Sequence, residues 1–318
     1  MPQVQSVLGP VDPGALGHCQ IHEHIFLRPT PMTERNAALR FDDFDRSLAE
    51  LRRYREAGGT SLVDAQPAAA GRDGGALERL SRESGVAVIA STGYHLLDFY
   101  PEDCWVHRLE EDALCALYQS ELETGLLPWE ADPSHRPEKA LAVRAGLVKA
   151  AIPAEGPVGR YKTLLRAAAR AAANAGAPLM LHTERGLRAQ EALAVCFSTG
   201  VRPEKLVVCH ADRQAGDPAI HDAIASAGVY LDYDTVARPK YHSDEEEIAL
   251  LRRALERGYA GRILLALDTT AQRLRAYGGE IGLDHLLRRF LPLLRQRGFV
   301  EETVSGFNRA NCQRLFDG

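Results

Sequence analysis

LMLHT at residues 179–183 and LVVCH at residues 206–210 are short apolar runs that each end in a polar residue. Between them, QEALAVCFS at residues 190–198 repeats apolar side chains with the period of a helix. A helix that joins two buried strands returns the chain to the same end of the sheet, so the two strands lie parallel. This stretch predicts a parallel β/α architecture.

The same alternation extends through the chain in both directions. Most of the strand-like runs are almost entirely apolar, which is typical of strands that helices cover on both faces. Eight such runs are present, at Gln20–Phe26, Ser61–Ala65, Val86–Thr92, Gly146–Ala151, Leu179–Thr183, Leu206–His210, Val229–Asp232 and Ile263–Asp268.

Stretches with helical periodicity separate and follow these runs. Gly176, followed by Pro178, is a clear helix stop. Ser243 is a predicted N-cap, because acidic side chains follow it in the first turn, where they favour the helix dipole. The predicted helices are Phe41–Ala57, Ala76–Ser84, Leu109–Thr124, Tyr161–Ala175, Gln190–Ser198, Ala219–Ala227, Glu245–Arg257 and Leu283–Gln296.

Eight strand–helix units in 318 residues, 45% of them hydrophobic, fit one α/β domain: a (β/α)8 TIM barrel spanning residues 1–318. Periodicity alone leaves an open sheet with an added domain as the alternative. Residues 1–17, which contain glycines and prolines, predict a short N-terminal hairpin over the bottom or side of the barrel. Residues 94–137 form the longest excursion, and its aromatic residues from Tyr100 to Trp105 are candidates to cover a pocket.

The net charge is −5, and lysines and arginines are spread along the chain. This favours a small-molecule partner over nucleic acid or a membrane surface. No segment approaches the roughly 20 apolar residues that span a bilayer, and the N-terminus has no secretion pattern, so we expect a cytoplasmic protein. Six scattered cysteines without a C-x-x-C pair predict reduced, mostly buried thiols.

The first predicted strand carries two histidines, His22 and His24. Residues two apart in a strand face the same side, so these imidazoles project together as a pair of candidate metal ligands. One such pair is weak evidence by itself, because histidine pairs without a metal are the more common case.

Lys149 stands in the middle of an apolar run, AGLVKAAI at residues 145–152. A buried ammonium group without a partner costs several kcal/mol, so something must compensate it. A neutral lysine amine can react with CO2, and the resulting carbamate is an anion that can bridge two cations. Carboxylated Lys149 is therefore a candidate bridging ligand, while pairing with a carboxylate or an outward-facing position is the alternative.

Three further strands end in residue types that bind metals: His182, His210 and Asp268. In a (β/α)8 barrel the C-terminal ends of all strands open on one face, where active sites are built. Each residue alone also fits a structural role, as a hydrogen-bonded core histidine or a capping aspartate. Together with the histidine pair and the buried lysine, they predict one metal centre.

These six side chains offer nitrogen and oxygen donors without a thiolate, which suits zinc, with manganese, cobalt or iron as alternatives. Six ligands imply two divalent metal ions. We expect one ion to bind His22, His24 and Asp268 and the other to bind His182 and His210. Carboxylated lysine and a hydroxide would lie between them.

Several segments match one known family. They are VLGP at 7–10, HEH at 22–24, GTSLVDA at 59–65, ASTGY at 90–94, AGLVK at 145–149, LHTE at 181–184, CHADR at 209–213, and LD at 267–268 followed by YGG at 277–279. Through them the chain resembles the phosphotriesterase family of the amidohydrolase superfamily from end to end. In that family the positions of the six residues above are the metal ligands, with the lysine carboxylated, and all six are intact here.

Members of this family hydrolyse lactones, phosphate triesters and, in some branches, N-acyl amides, so the resemblance implies hydrolysis more firmly than a substrate. TGYH at 92–95 and FYP at 99–101 resemble the branch that acts on sugar lactone phosphates. In that branch a lysine after the seventh strand, and an arginine and a tyrosine after the last-strand aspartate, hold the phosphate. Lys240 matches the first position, but Ala271 and Leu274 stand at the other two, which puts a phosphorylated substrate in question.

Substrate-orienting residues are expected in the loops after the strands, although each candidate also fits ordinary loop structure. Arg273 and Arg275 are included because either one could supply the missing positive charge. The candidates are Tyr94, His95, Arg213, Lys240, Arg273 and Arg275.

We expect a lactonase or carboxylic ester hydrolase with promiscuous phosphotriesterase activity. A metal-bridging hydroxide would attack the carbonyl, and Asp268 would transfer the proton to the leaving oxygen. Alternatives are an organophosphate triesterase, an N-acyl amide hydrolase, and a non-catalytic binding barrel, which the intact ligand set disfavours. A homodimer is compatible with the sequence.

Overall fold

A computed structural model describes residues 3–317. A two-stranded antiparallel hairpin, β1 (Val4–Ser6) and β2 (Gly9–Val11), precedes one sheet of eight parallel strands that wraps into a barrel. Each strand pairs with its neighbours in sequence, so the predicted single-domain (β/α)8 barrel is confirmed. The barrel strands are β3 (His18–Glu23), β4 (Gly59–Asp64), β5 (Ala87–Gly93), β6 (Ala145–Ala151), β7 (Leu179–His182), β8 (Leu206–Val208), β9 (Tyr230–Tyr233) and β10 (Ile263–Leu265).

Helices follow each barrel strand and cover the outside of the sheet. The hydroxyl oxygen of the predicted N-cap Ser243 accepts a hydrogen bond from the Glu246 nitrogen, and the Ser243 nitrogen donates to the Glu246 carboxylate, which completes a capping box. The helices are α1 (Pro31–Arg35), α2 (Phe44–Glu56), α3 (Gly74–Ser84), α4 (Glu111–Glu123), α5 (Arg160–Ala175), α6 (Ala189–Ser198), α7 (Pro218–Ser226), α8 (Asp244–Glu256), α9 (Leu291–Gln296), α10 (Glu301–Asn308) and α11 (Ala310–Asp317).

The structure differs from the sequence prediction in the C-terminal helices and at the ends of two strands. The predicted last helix is a π-helical stretch, Leu286–Phe290, that leads into α9, and α10 and α11 were missed because each has only eight residues of amphipathic pattern. Strands β8 and β10 end before His210 and Asp268, because these two residues adopt φ angles of 64° and 44°, which no strand accommodates.

β3 and β10 close the barrel through hydrogen bonds that do not belong to the regular pairing of strands. Asn308 on α10 donates one side-chain amide to the carbonyl of Cys19, at 2.9 Å, and to that of Leu265, at 2.7 Å. Farther along the same seam, the Asp268 nitrogen donates to the His22 carbonyl at 3.1 Å. The last helix pair, absent from the sequence prediction, therefore helps to join the first strand to the last.

The N-terminal hairpin covers the bottom of the barrel. The nitrogen of Val7 donates to the carbonyl of Val88, near the start of β5, at 2.9 Å, and Val4 packs into the barrel interior. A Cβ atom on Gly146 would approach the carbonyl oxygen of Gln5 to 2.2 Å, so the hairpin fits against β6 only because that residue is glycine. Residues 1 and 2 of the predicted segment lie outside the described residues.

All six cysteines are buried and none forms a disulfide. Within residues 3–317, no helix combines the length and the apolar composition that crossing a membrane requires.

Candidate active site

The structure brings all six predicted metal-ligand side chains together at the C-terminal face of the barrel. The Nε2 atom of His22 lies 3.0 Å from Lys149 Nζ and 3.9 Å from Asp268 Oδ1. The Nε2 atom of His24 lies 3.5 Å from the same aspartate oxygen. These side chains form the first of two adjoining groups of donor atoms.

The second group consists of His182 and His210. Nδ1 of His182 lies 2.8 Å from Nε2 of His210, and the rings of His210 and His22 have centroids 5.1 Å apart. The two groups are therefore continuous, with five donor side chains and Lys149 within one buried volume.

Backbone conformation aims two of these side chains into the barrel mouth. His210 and Asp268 both occupy the left-handed region, which costs free energy for residues other than glycine. Such conformations persist where the surrounding structure enforces them, and they cluster at functional sites. The polar residue after each strand thus turns inward instead of continuing along the strand.

Two buried aspartates at the end of β9 hold the outer nitrogens of the histidines. Asp234 lies 3.1 Å from Nδ1 of His22 through Oδ2 and 2.7 Å from Nδ1 of His210 through Oδ1. Asp232 Oδ2 lies 2.9 Å from Nδ1 of His22. A carboxylate on one ring nitrogen orients a histidine so that the other nitrogen is available to a metal.

This pair of aspartates was not identified from the sequence, although it left a signal there. Asp232 and Asp234 stand two residues apart at a strand end, as His22 and His24 do. The same alternation rule that paired the histidines would have placed both carboxylates on one side of the strand.

Burial keeps the histidines in the form that binds metals. It lowers the pKa of His22 to about 4, and it also lowers the pKa values of His182 and His210. Neutral imidazole, with a free nitrogen lone pair, is the ligand form. These rings are therefore uncharged at neutral pH.

Asp268 is ionised in the same surroundings. Burial by itself would raise the pKa of Asp268, but the Arg238 guanidinium, a hydrogen bond with His24 and the charge of Arg213 hold it well below its usual range. One oxygen, Oδ2, accepts from Arg213 at 2.6 Å and from Arg238 at 2.7 Å. The other oxygen, Oδ1, faces the histidines.

Lys149 is completely buried, and no carboxylate among residues 3–317 forms an ion pair with it. Its Nζ atom lies beside His22 and 3.3 Å from the sulfur of Met180. Cys209 also lies near His22 and the two aspartates, but burial raises the pKa of its thiol well above the usual value, so it stays protonated. The donor set consequently contains nitrogen and oxygen atoms without a thiolate.

A cavity of about 330 Å³ opens over the donor atoms. Part of its lining is an apolar wall, and another part is a rim of positive side chains around one aromatic ring. The ring of Tyr241 lies 4.8 Å from Arg213, 5.6 Å from Arg238 and 5.1 Å from Lys240. The apolar wall is formed by Leu27, Met32, Leu39, Phe41, Leu96 and Phe99.

Three of the predicted substrate-contacting residues line this cavity: His95, Arg213 and Lys240. His95 is buried and stacks on Phe99, with ring centroids 3.8 Å apart. Arg238, Tyr241 and Glu184 also line the cavity, although the sequence analysis assigned them no role. They carry no positional signal of their own, because a loop residue's direction depends on the turn that presents it.

The other three predicted substrate contacts do not line the cavity. Tyr94 is wholly buried in the core. Arg273 donates to the carbonyls of Leu267 and Val236, and it lines an adjacent cavity of about 450 Å³ on the other side of the loop that carries Lys240. Arg275 pairs with Asp284 at 2.7 Å. These residues already have structural partners or packing, which accounts for their distance from the site.

Besides His95, the excursion after β5 contributes one aromatic ring to the cavity. Phe99 lines it, whereas Tyr100 and Trp105, which were candidates to cover it, pack in the core. The hydroxyl group of Tyr100 instead accepts from the nitrogen of His95 at 2.8 Å and thereby supports that residue from behind.

The model of the phosphotriesterase family matches residues 2–316. The chain belongs to the phosphotriesterase family. Among its relatives, a phospho-furanose lactonase from Mycoplasmopsis synoviae (strain 53) is 28% identical over 98% of this chain and 90% of that protein. An N-acetyltaurine hydrolase from Danio rerio is 27% identical over 98% of this chain and 97% of that protein.

The solved structures agree with this membership. The crystal structure of a lactonase from Listeria monocytogenes has a TM-score of 0.88 and 26% identity, and the match covers 99% of this chain and 98% of that one. The predicted phosphotriesterase family membership and the predicted hydrolase class are confirmed. The buried histidine and aspartate cluster fits the metal-dependent chemistry of the phosphotriesterase family.

Proposed function

We propose that this protein is a metal-dependent lactonase whose substrate carries an anionic group. The observation that carries the proposal is the convergence of six candidate metal-binding side chains beneath a cavity that has an apolar wall and a cationic rim. A lactone offers a ring for the apolar wall, a carbonyl for the donor cluster and a substituent for the rim.

The donor cluster suits two divalent cations, with zinc as the expected occupant. His22, His24 and Asp268 would hold one, and His182 and His210 the other. The fit is supported by His22 and His210. In each ring Nδ1 is bound to Asp232 or Asp234, which leaves Nε2 directed into the cluster. When bound, such cations polarise a carbonyl and make water a better nucleophile near neutral pH.

Lys149 is the proposed bridging ligand, after carboxylation. Its amine nitrogen would attack CO2, form a carbamate and release a proton. The support is a fully buried lysine beside His22 with no carboxylate partner among the described residues. A carbamate would supply the negative charge that two neighbouring cations need, and the cations would in turn compensate that buried charge.

Asp268 is the proposed proton carrier. Its Oδ1 atom faces the donor cluster and its Oδ2 atom is fixed by two arginines, so one oxygen can take a proton while the other keeps the group in place. It would accept the proton of the attacking water and return it to the leaving oxygen as the lactone ring opens.

The rim argues for an anionic substituent. Three positive side chains, Arg213, Arg238 and Lys240, face two carboxylates, Asp268 and Glu184, so one positive charge is left over. Lys240 has no ion pair among residues 3–317 and lies only over the ring of Tyr241. A phosphate or carboxylate group on the substrate would complete this side of the cavity.

Hydrolysis of an N-acyl amide is the second candidate. It is favoured by the similarity to the N-acetyltaurine hydrolase, and the cationic rim also suits the sulfonate group of such a substrate. Ester and amide carbonyls are attacked by the same nucleophile, so the leaving group and the fit of the apolar wall decide between the two.

The test compares kcat/KM for the zinc-loaded enzyme on five- and six-membered lactones with and without a phosphate group, on N-acetyltaurine and on an aryl phosphate triester. We expect the phosphorylated lactones to give the highest values. Lys240→Gln should raise KM for these substrates about tenfold and leave kcat/KM for neutral lactones unchanged. Lys162→Gln, an exposed lysine on α5, is the matched control.

A higher kcat/KM for N-acetyltaurine than for every lactone would show that the protein is an amide hydrolase and would overturn the proposed lactonase function. Preference for neutral lactones, or equal KM values before and after Lys240→Gln, would refute the anionic substrate.

A further inference from the structure

The cationic rim depends on one loop that is closed at its base. Thr235 follows β9 and His242 precedes α8, and residues 236–241 lie between them. This loop carries Arg238, Lys240 and Tyr241, all of which line the cavity. The position of this loop therefore sets the position of most of the rim, and Arg213 supplies the rest.

The two ends of the loop are joined by a buried side-chain contact. The hydroxyl oxygen of Thr235 lies 3.0 Å from Nε2 of His242. The same nitrogen lies 3.1 Å from Oε2 of Glu247, in the first turn of α8, and His242 Nδ1 donates to the carbonyl of Ser243 at 3.1 Å. The imidazole thus joins the two ends of the loop to each other and also joins the loop to α8.

A third segment joins at the same point. Asp212, two residues after His210, accepts from the nitrogen and from the hydroxyl of Thr235, both at 2.6 Å, and its Oδ2 atom lies 3.5 Å from His242. The next residue, Arg213, lies over Tyr241 at the end of the loop. The cluster therefore connects the loops that follow β8 and β9, and both of these loops supply the rim.

Charge in the cluster favours the closed arrangement. Burial by itself would lower the pKa of His242, but the hydrogen bond with Asp212 and the charges of Glu247 and Asp212 raise it to about 9. Burial also raises the pKa values of Asp212 and Glu247, so the cluster keeps its protons at neutral pH and the ring can donate to the carboxyl groups beside it.

Apart from the Arg238–Asp268 ion pair at 2.7 Å and the contact of Arg213 with Tyr241, the loop has few other restraints. The Ala237 nitrogen donates to Oδ1 of Asp244 at 3.2 Å, the Tyr241 nitrogen donates to the Arg238 carbonyl at 2.9 Å, and Arg273 donates to the carbonyl of Val236. None of these joins the loop to the segment after β8. Loss of the His242 cluster would release the rim while the barrel strands keep their own hydrogen bonds.

We propose that His242 is a positioning residue that, with Thr235 and Asp212, places the 236–241 loop so that its cations meet the anionic group of the substrate. His242 does not line the cavity, so it acts through Arg238, Lys240 and Tyr241. The effect on KM rests on the proposed function, whereas the effect on loop order does not.

The test uses the variants His242→Leu and Thr235→Val in the full-length, zinc-loaded protein. Hydrogen exchange measured by mass spectrometry should show faster exchange in residues 236–243 and unchanged exchange in β3 to β8. KM for a phosphorylated lactone should rise about tenfold more than the KM of a neutral lactone, and kcat should fall to the same extent for both substrates, because Arg238 on this loop also holds Asp268. His242→Gln, which keeps side-chain donors but no charge, should lie between the wild type and His242→Leu.

The matched control is His18→Leu, because His18 is a buried histidine at the start of β3, whereas the loop follows the end of β9, at the opposite end of the parallel strands. It should leave exchange in the loop and both KM values unchanged. Unchanged loop exchange in His242→Leu would overturn the proposal. Faster loop exchange with equal KM values for charged and neutral lactones would retain the structural clamp but overturn its part in recognising an anion. If the wild type hydrolyses no lactone, the exchange result still decides whether His242 orders the loop.

Discussion

Glu23 holds the backbone on both sides of Asp268. Its Oε1 atom accepts from the nitrogen of Leu267 at 2.9 Å, and its Oε2 atom accepts from the nitrogen of Thr269 at 3.3 Å and from the Thr269 hydroxyl at 2.9 Å. Glu23, the last residue of β3, stands between His22 and His24, but its side chain is directed to the seam with β10. The end of β3 and the residue after it therefore supply two candidate ligands, and Glu23 anchors a third.

Replacing Glu23 by glutamine should damage the site more than the fold. The amide keeps one acceptor oxygen but sets its NH2 group against a peptide N–H, so the Asp268 backbone loses part of its support. We expect the free energy of unfolding to fall by about 1–3 kcal/mol. We expect kcat to fall at least tenfold, since a displacement of about 1 Å at a catalytic group can cost ~100-fold in rate.

Glu50→Gln provides a matched comparison, measured by urea unfolding and by lactone hydrolysis. Glu50 is likewise buried and accepts from two peptide nitrogens, those of Ala276 at 2.6 Å and Leu283 at 3.2 Å. It should lose similar stability and keep most of its kcat. Equal kcat losses in the two variants would mean that Glu23 has no particular role in placing Asp268.

Asp234→Asn should weaken metal binding. The carboxylate accepts from the rings of both His22 and His210, whereas an asparagine oxygen and amide cannot accept from both. Loss of such an outer partner typically reduces metal affinity about 10–100-fold. A competition titration of the metal-free protein with a chromophoric zinc chelator measures this change.

Asp222→Asn serves as the control for that titration, because Asp222 forms a half-exposed ion pair with Arg253 on the barrel surface. Its zinc affinity should equal that of the wild type. If Asp234→Asn also binds zinc as tightly as the wild type, the aspartate does not orient the histidines for a metal.

Lys149→Met should have opposite consequences for the metal-free and the metal-loaded protein. Methionine has a similar length and removes a buried group that has no carboxylate partner, so the metal-free variant should be as stable as the wild type or more stable. Zinc at about 100 times Kd should stabilise the wild type by about 2.7 kcal/mol and the variant by less. Urea unfolding with and without a chelator separates the two effects.

Carboxylation adds a second readout to this prediction. Reconstitution of the metal-free wild type with zinc should be faster in bicarbonate than in buffer freed of CO2, and reconstitution of Lys149→Met should not depend on bicarbonate. A wild-type protein that binds two zinc ions equally well without CO2 would exclude the carbamate.

Stability of the metal-free protein should fall in mild acid, in part through His18. Burial, together with the charge of Arg309, lowers the pKa of His18 to about 3. Below the ordinary histidine pKa of about 6.5, the unfolded chain binds a proton that the native state does not, so the free energy of unfolding decreases as the pH falls. His18→Gln should remove about one proton from this dependence, or ~1.4 kcal/mol per pH unit between about pH 4.5 and 6. Parallel curves for the two proteins would show that His18 titrates normally.

Local pattern in the sequence was enough to predict the barrel and the candidate ligands. Alternation of apolar strands with helices is a property of neighbouring residues, and so is the placement of His182, His210 and Asp268 immediately after apolar runs. A barrel then gathers strand ends on one face, whatever their separation in the chain.

Only the tertiary structure decided how these residues are held and which loops surround them. Glu23 meets Leu267 across 244 residues, and His22 meets Asp232 across 210. No periodicity specifies such pairs, because they depend on the register in which the barrel closes. The same reason applies to the rim: Arg238 lines the cavity and Arg275 does not, because each loop's turn and its buried contacts set the direction of the side chain.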